Sequence, residues 1–420
     1  MRAHDFIVVG AGTAGSVMAA RLSEDPGVRV LLLEVGAAEG PPAMSVPAAW
    51  PTLIGSEVDW GFNTVAQVGL DGAVLPYPRG KVLGGSSGIN AMAHVRAHRS
   101  SYDDWAAAGA TGWGYDDLLP YFRRSETTEG RDPYYRGTDG PMHPMAPRRQ
   151  PPAAVDCLAA FKELGHPYSA DLNGADQEGA SWYEMTIVDG NRQSAADAYL
   201  RPVMRRRPNL TVINDAQVHR LMISGNRCTG VEYAEANGQR WTAWADSEVV
   251  LCAGVIGSPQ LLHLSGIGPA DALRSHCIQI VADVPGVGEN LSDHPLGSVV
   301  YAAARPVPPG ENNHGDILGA LRTDQTLDEP DMHVLFCDVP LTPSAMLGPE
   351  SGFTIGFSLL RPRSRGSVRL ASADPGAAPL VDPGFLTDER DVAGMLAGLR
   401  LAREIGGSDA MARWRKEEVR

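Results

Sequence analysis

The chain has 420 residues, of which 43% are hydrophobic and 20% are charged, as is ordinary for a soluble globular protein with a large buried core. Its 36 Lys and Arg residues against 50 Asp and Glu give a formal net charge of -14, which argues against nucleic acid or an anionic membrane as a partner because both favour basic surfaces. The five cysteines are scattered without a CxxC pair, so neither a disulfide framework nor a metal site is expected.

The N-terminus leads directly into a predicted βαβ unit. MRAHD precedes the first strand without the charged and apolar regions of a signal peptide, and no apolar run approaches the roughly 18 residues of a membrane span. We therefore expect a cytoplasmic protein with no integral membrane segment. DFIVV, residues 5–9, is typical of a buried parallel strand. It is followed by GAGTAG and by an apolar helix face over residues 16–22. The run VRVLLLE then predicts a second strand, which ends at Glu34.

The remaining chain predicts a mixed α/β protein with a second sheet. Residues 36–90 are rich in Gly and Pro and lack periodicity, and such a stretch in a compact domain is usually functional or wraps a ligand. Residues 127–155 are typical of an exposed connector. Helices are predicted at residues 101–126, with Ser101 as N-cap, and over 391–420; strands are predicted at 210–213, 218–223, 229–234, 248–252, 353–360 and 366–370, with short strands and polar loops over 300–345.

The glycine turn after the first strand predicts a dinucleotide site. Gly10 permits the sharp turn, Gly12 lets the backbone approach a pyrophosphate, and Gly15 lets the helix pack on the sheet. The phosphates would then lie at the helix N-terminus, where free N–H groups favour anions. Glu34, about 20 residues further on, is placed to accept hydrogen bonds from a ribose diol. An acid here disfavours NADP but does not separate NAD from FAD.

Two later motifs favour FAD. YPRGKVLGGSSGINAMAHVR, residues 77–96, supplies a flexible, donor-rich loop for the second face of a pyrophosphate and places the amide of Asn90 at the edge of a flavin ring. LCAGVIGSPQLLHLSGIG, residues 251–268, predicts a strand that ends at Ala253-Gly254 and a helix that starts at Ser258-Pro259 and stops at Ser265-Gly266.

With these motifs the chain resembles the glucose–methanol–choline (GMC) oxidoreductases, a family of FAD enzymes. The resemblance extends from DFIVVGAGTAG through VPGVGENLSDHP, residues 284–295, and within the family it is nearest to bacterial alcohol, choline and pyridoxine-type members. It implies a Rossmann-like, doubly wound FAD-binding domain interleaved with an antiparallel-sheet (α+β) substrate domain. The implied division is 1–299 for the FAD-binding region, with 151–200 a candidate excursion into the substrate domain, and 300–420 for an incomplete substrate-domain part.

The resemblance also implies the site residues. The pyrophosphate would be held by the glycine turn and the adenosine ribose by Glu34, while Val218 would meet the adenine through its backbone. Some members tether FAD through a histidine at the position of Ile89, so FAD is expected to be non-covalent here. The expected cofactor-binding set is Gly10, Gly12, Thr13, Ala14, Gly15, Glu34, Val82, Gly85, Asn90, Ala91, Met92, Ala93 and Val218. No catalytic residue is assigned, because the family's active-site His is expected beyond Arg420.

The histidines and paired acids within the chain have structural interpretations. His94 is expected in the flavin-pocket wall, His263 in helix packing, His294 as a structural hydrogen-bond partner and His98 on a solvated or salt-bridging face. The pairs Asp103-Asp104 and Asp116-Asp117 are expected at helix starts, where acids complement the helix dipole.

The expected function is hydride transfer from the CH–OH group of a small primary alcohol to flavin N5, with oxygen or a quinone or protein carrier as electron acceptor. Three alternatives stay open: a non-catalytic FAD-binding fragment, an NAD-dependent dehydrogenase, and a lyase on the same flavin scaffold. The sequence does not identify the substrate or distinguish an oxidase from a dehydrogenase.

Overall fold

The computed structural model describes residues 4–308, 310, 312–342 and 348–419. Its α-helices are α1 (Thr13–Leu22), α2 (Arg99–Ala107), α3 (Tyr115–Ser125), α4 (Pro152–Glu163), α5 (Arg201–Met204), α6 (Gly254–Leu264), α7 (Ala270–Ser275) and α8 (Glu389–Gly407). Short 3₁₀ turns span Pro42–Ser45, Pro47–Leu53, Val68–Leu70 and Gly85–Gly88, and a π turn spans Ala196–Leu200.

The strands, in chain order, are β1 (His4–Val9), β2 (Val30–Leu33), β3 (Ala93–His94), β4 (Gly179–Trp182), β5 (Glu184–Met185), β6 (Ile187–Val188), β7 (Asn191–Arg192), β8 (Leu210–Ile213), β9 (Ala216–Ser224), β10 (Arg227–Glu235), β11 (Arg240–Leu251), β12 (Ile267–Gly268), β13 (Ala282–Asp283), β14 (Glu289–Leu291), β15 (Leu296–Ala303), β16 (Gly315–Leu321), β17 (Met332–Cys337), β18 (Gly352–Leu359), β19 (Gly366–Arg369), β20 (Leu380–Asp382) and β21 (Arg415–Val419).

The first large sheet has the order β8-β2-β1-β11-β10-β9. β1 pairs in parallel with β2 and with β11, and β2 pairs in parallel with β8, so the predicted βαβ unit of β1, α1 and β2 is confirmed. Every residue of β2 is buried, which accounts for its unbroken apolar run. Small buried residues of α1, including Gly15 and Ala19, let the helix lie close to the sheet.

The second large sheet is antiparallel in the order β21-β15-β18-β17-β16-β4. α4 and α8 pack on one face, where Phe161 and Ala402 join the buried aromatic side chains of Phe336 and Phe353. All eight residues of β18 are buried, so its sequence is nearly continuous in apolar residues. The first sheet is parallel from β8 to β11 and antiparallel at β10 and β9, so with the antiparallel second sheet the chain has the predicted mixed α/β class.

β4 lies between α4 and α5 in the chain yet pairs with β16 of the second sheet. Residues 151–200 therefore contribute a strand to that sheet, and β15 begins at Leu296, before position 300. The boundary between the FAD-binding and substrate domains stays a prediction. Of the stretch predicted to mix short strands and loops over 300–345, positions 309, 311 and 343–345 lie outside the described residues.

Three predicted elements differ from the structure. The helix predicted over 101–126 is two helices, because Gly109 and Gly112 adopt φ values of 109° and 84° between α2 and α3; α2 begins at Arg99, with His98 rather than Ser101 at its N-cap. The C-terminal helix ends at Gly407, and β21 follows instead of further helix. α6 begins at Gly254, ahead of the Ser258-Pro259 pair predicted to start it.

Within the described part of the chain, no helix combines the length and apolarity needed to cross a bilayer.

Candidate functional site

A cavity of about 460 Å³ lies at the carboxyl ends of three parallel strands. Val9, Leu33 and Leu251 are the last residues of β1, β2 and β11, and all three line it. Ligands of open α/β sheets bind at this edge, and small-molecule sites span roughly 300–1,000 Å³. The lining also includes Gly10, Gly12, Thr13, Ala14, Glu34, Trp60, Phe62, Arg79, Gly85, Ser86, Gln217, Val218, Gln260 and Pro375.

The turn after β1 needs glycine at two positions for packing and at a third for a ligand. Gly10 has φ 92°, and a Cβ there would lie 2.6 Å from the carbonyl oxygen of Cys252. A Cβ on Gly15 would lie 1.8 Å from the Gly10 oxygen. Gly12 differs, since φ is -69° and the nearest atom to an added Cβ is Gly85 Cα at 3.8 Å. A side chain at Gly12 would fit the protein but occupy the cavity.

The N-terminus of α1 faces the same cavity. Thr13 and Ala14 form its first turn, and both are exposed and line the cavity. Gly12 is the N-cap and has no side chain to accept the first N–H groups. The helix end can therefore donate backbone hydrogen bonds to an anion that lies against the turn.

Glu34 follows β2 and is 5% exposed. Its Oε2 accepts a hydrogen bond from Ala11 N at 2.6 Å and its Oε1 accepts one from Gly36 N at 2.8 Å. Burial raises the pKa of Glu34 to about 7, although these two backbone N–H groups favour the ionised form. Each carboxylate oxygen keeps a lone pair, so the side chain can still accept from a diol in the cavity.

The 3₁₀ turn Gly85–Gly88 forms the opposite wall. Gly85 has φ 54°, and a Cβ there would lie 2.6 Å from Gly12 Cα, so the two glycine backbones approach each other across the site. Ser87 Oγ donates to Gly84 O at 2.6 Å and accepts from Ala195 N at 2.9 Å, which holds this turn in place. Ser86 is exposed and lines the cavity.

Val218 and two glutamines bound the far end. Val218 lies on β9, the edge strand of the first sheet. Gln217 Nε2 donates to Pro375 O at 2.8 Å, and Gln260 Nε2 donates to Ala377 O at 2.9 Å. The two amides therefore hold the loop at 375–377, from the second half of the chain, against the cavity.

The sequence prediction missed an aromatic wall. Trp60 and Phe62 stack with ring centroids 5.3 Å apart and planes 10° from parallel, and both line the cavity. Asp59 organises this segment, because its carboxylate accepts hydrogen bonds from the backbone N–H groups of Gly55, Gly61 and Arg79. The Gly/Pro-rich stretch 36–90 was predicted to wrap a ligand, but an aromatic pair within it gave no separate pattern.

The remaining predicted site residues lie outside the cavity lining. Gly15 packs under the turn, and Val82 is fully buried near Ile89. Met92 is 1% exposed and packs in a core cluster with Tyr183 and Met185. Asn90 and Ala93 are exposed and Ala91 is half-buried; Asn90 N donates to Ser86 O at 2.9 Å, so this stretch continues directly from the cavity wall.

The four histidines predicted to have structural roles each contact a polar partner. His94 Nε2 lies 3.0 Å from the buried Glu126, and His98 Nδ1 lies 2.8 Å from Ser100 Oγ and 3.4 Å from Glu329. His263 Nε2 contacts Val287 O at 3.1 Å, and His294 Nε2 contacts Leu360 O at 3.0 Å. Among the described residues that line the cavity, none is a histidine.

One acidic pair is not at a helix start. Asp103 lies inside α2 and accepts from Tyr115 N at 2.9 Å, so it joins α2 to α3. Asp116 and Asp117 are in the first turn of α3, as predicted.

The residues present fit an extended dinucleotide such as FAD. The cavity combines a free helix N-terminus, a buried carboxylate, a glycine whose side chain would enter the ligand space, and an aromatic wall. Negative phosphates, a ribose diol and flat rings match these features in turn.

Comparisons with known proteins agree with this fit. The GMC oxidoreductase family models match residues 4–296 and 362–420. An oxygen-dependent choline dehydrogenase of Brucella anthropi is 38% identical over 440 residues, covering 99% of this chain and 80% of that protein. Pyridoxine 4-oxidase of Mesorbium loti superposes with a TM-score of 0.95 at 36% identity, covering 99% of this chain and 83% of the other. Formate oxidase of Aspergillus oryzae RIB40, in a structure concerned with FAD modification, superposes with a TM-score of 0.89 at 27% identity and the same coverages.

Proposed function

We propose that this chain, which belongs to the GMC oxidoreductase family and takes FAD as its cofactor, oxidises the CH–OH group of a small primary alcohol. The observation that carries the proposal is the cavity at the strand ends, where Gly12 leaves open a space that a side chain at this position would occupy in place of a ligand. Choline and pyridoxine, named for two relatives, both contain a primary alcohol.

The chain's own residues would bind and orient the cofactor. The turn of Gly10 and Gly12 with the first N–H groups of α1 would hold the pyrophosphate. Glu34 would accept the adenosine ribose hydroxyls, and Val218 would contact the adenine. Asn90, one turn beyond Ser86, would reach the flavin end. FAD, when bound, supplies the hydride acceptor at N5.

The wall around the cavity would also control water. Trp60 and Phe62 place an apolar surface along one side, and the loop at 375–377 is held by two glutamine amides at the other end. Exclusion of water strengthens the hydrogen bonds between the fixed backbone dipoles and a charged ligand.

The test is substrate-dependent bleaching of bound flavin. We expect the FAD-loaded chain, mixed anaerobically with choline, pyridoxine or a panel of small primary alcohols, to lose absorbance at about 450 nm with at least one of them. The matched control is tert-butanol, which has a hydroxyl but no hydrogen on the carbinol carbon. A deuterium isotope effect with the α-deuterated alcohol would show that C–H cleavage is the step observed.

Other outcomes would contradict the proposal. Retained FAD with no bleaching by any alcohol would favour a non-catalytic FAD-binding protein. Consumption of an alcohol without net flavin reduction or an electron acceptor would favour a lyase. Detection of hydrogen peroxide on admission of air would distinguish oxygen from a quinone or carrier as the acceptor.

A further inference from the structure

A buried arginine beside the 3₁₀ turn Gly85–Gly88 has no carboxylate partner among the described residues. Arg192, at the end of β7, is 6% exposed, and within the described part of the chain its guanidinium donates to oxygens of neutral groups. Nε donates to Met44 O at 2.9 Å, while Nη1 contacts Ser87 O at 3.2 Å, Asn90 O at 2.6 Å and Asn90 Oδ1 at 2.9 Å. Nη2 is buried and, among the described residues, has no hydrogen-bond partner.

This arrangement is costly without a further role. An unpaired charge in the interior loses its hydration, and buried polar groups that are left unsatisfied need an explanation. Burial lowers the pKa of Arg192 to about 10, so the side chain is still a cation at neutral pH. The carboxylate of Asp197 is engaged elsewhere, with Ser194 and Arg201, and lies beyond ion-pair distance from Arg192.

Arg192 also determines which way the amide of Asn90 faces. Asn90 Oδ1 accepts from Arg192 Nη1 and from Met92 N, the latter at 3.1 Å, so both of its contacts come from donors. The Met92 backbone has φ 60°, an uncommon conformation that turns its N–H toward this oxygen. Because two donors contact Oδ1, the orientation of the Asn90 amide is fixed. Asn90 is exposed, and its Nδ2 has no partner among the described residues.

We propose that Arg192 is a positioning residue for FAD, which holds the Asn90 amide with its Nδ2 donor toward the cofactor and, having no ion-pair partner among the described residues, places a positive charge behind the flavin end of the site. The inference rests on the proposed cofactor site and deepens it. A hydride brings two electrons and one proton, so its transfer adds one negative charge to the ring. A fixed cation in a low-dielectric setting favours that charged product.

The first test is Arg192→Gln against the exposed control Arg274→Gln, whose native side chain pairs only with Asp271 on α7. We expect Arg192→Gln to weaken FAD binding at least tenfold, measured by titration of flavin fluorescence, and to shift the two-electron potential to more negative values. A tenfold loss in the relative affinity for reduced FAD corresponds to about 30 mV. Arg192→Lys should recover the potential more fully than the affinity, because it keeps the charge but loses the planar fork.

The second test is Asn90→Asp, which stays informative if the arginine variants do not fold. The new carboxylate would still accept from Arg192 and Met92 N, and it would pair the buried guanidinium. We expect unfolding to require more urea than in the parent chain, yet the flavin potential to fall and FAD binding to weaken, because the Nδ2 donor and the free charge are both lost.

These readouts separate the inference from the proposed function. The flavin potential is measured with a chemical reductant and a reference dye, so this measurement does not depend on turnover of an alcohol. FAD affinity and potential equal to those of the parent in both Arg192→Gln and Asn90→Asp would overturn the positioning role, whatever the alcohol assay gives. A fall in stability alone, without a change in potential, would show that Arg192 is only structural.

Discussion

Replacement of Glu34 by glutamine separates the cost of burying this carboxylate from its use in cofactor binding. Oε1 and Oε2 each accept one backbone N–H, from Gly36 and Ala11. Glutamine keeps one acceptor oxygen and turns an NH₂ group toward the other N–H. One backbone donor is then left without a partner in a buried site, which costs about 1–3 kcal/mol.

The same substitution removes a charge that the fold disfavours. Burial raises the pKa of Glu34 from its usual 4.5 to about 7. Because the folded chain binds the proton more tightly than the unfolded chain, the stability of the parent falls as pH rises from 4.5 through 7. A pKa shift of this size lowers the free energy of unfolding of the parent by about 3 kcal/mol above pH 7. Glutamine does not ionise, so the variant does not lose this stability. We therefore expect the stability of Glu34→Gln relative to the parent to increase by up to that amount between pH 5 and pH 8.

FAD binding should change in the opposite direction. Hydrogen bonds to a charged acceptor contribute about 1.5–3 kcal/mol, so loss of the carboxylate should weaken FAD binding by roughly 10- to 150-fold at pH 8. The assays are urea unfolding of the cofactor-free chain at both pH values and fluorescence titration with FAD. Glu39→Gln is the matched control, since Glu39 is exposed and pairs with Arg201. Unchanged FAD affinity in Glu34→Gln would refute the assigned role.

Three further predictions concern the glycine turn, the attachment of FAD and a buried ionic cluster, in which Arg136 pairs with Glu126, Asp171 and Glu184. Gly12→Ala should leave the melting temperature unchanged but abolish tight FAD binding, whereas Gly15→Ala, with its Cβ 1.8 Å from a carbonyl oxygen, should lower the melting temperature by several degrees. Arg136→Met should lower the free energy of unfolding by about 3–5 kcal/mol at pH 7, by urea titration, because Glu126 and its neighbours lose their shared buried partner. Acid precipitation should release all yellow colour into the supernatant, because Ile89 offers no tether.

Each of these outcomes can be contradicted directly. Full FAD affinity in Gly12→Ala would mean that the ligand does not lie against the turn. Burial alone would raise the pKa of Glu126, but hydrogen bonds from His94 and Arg136 outweigh it and lower the pKa to about 2. Its contribution is therefore present above pH 4.5 and is lost as pH falls toward 2, so an Arg136→Met deficit that does not shrink at pH 3 would refute the ionic explanation. Flavin retained on the acid pellet would show a covalent bond.

The parts of the fold that sequence reasoning predicted are those set by local pattern. β1, α1 and β2 follow within 30 residues of one another, and their apolar runs reflect strands buried on both faces. The break between α2 and α3 was missed even though Gly109 and Gly112 are visible in the sequence, because the surrounding apolar periodicity suits one helix equally well. β21 was missed because its residues are mostly charged, and it forms a strand only through its pairing with β15.

The candidate site also contains residues that a local sequence motif predicts and residues that only the fold brings together. Gly10, Gly12 and Glu34 could be predicted because a short strand–turn–helix–strand motif brings them together. Arg192 could not, since its role depends on contacts with positions about 100 and 150 residues earlier in the chain. In the sequence, nothing about the residue type or spacing of Arg192 distinguishes it from the other arginines. What distinguishes it is a buried guanidinium with no carboxylate partner in the described part of the chain, which only the folded arrangement shows.

The cavity takes its wall from segments that lie far apart in the chain. Its wall takes residues from β1 and β2, from the 3₁₀ turn Gly85–Gly88, from α6 and from the loop at 375–377. Gln217 and Gln260 bond that last loop across more than 100 residues of chain. A ligand that contacts all of these segments connects the first large sheet to the loop between β19 and β20, which belong to a three-stranded sheet of the order β14-β19-β20. Cofactor binding should therefore stabilise these two sheets together, since binding to the folded state alone stabilises the whole of it.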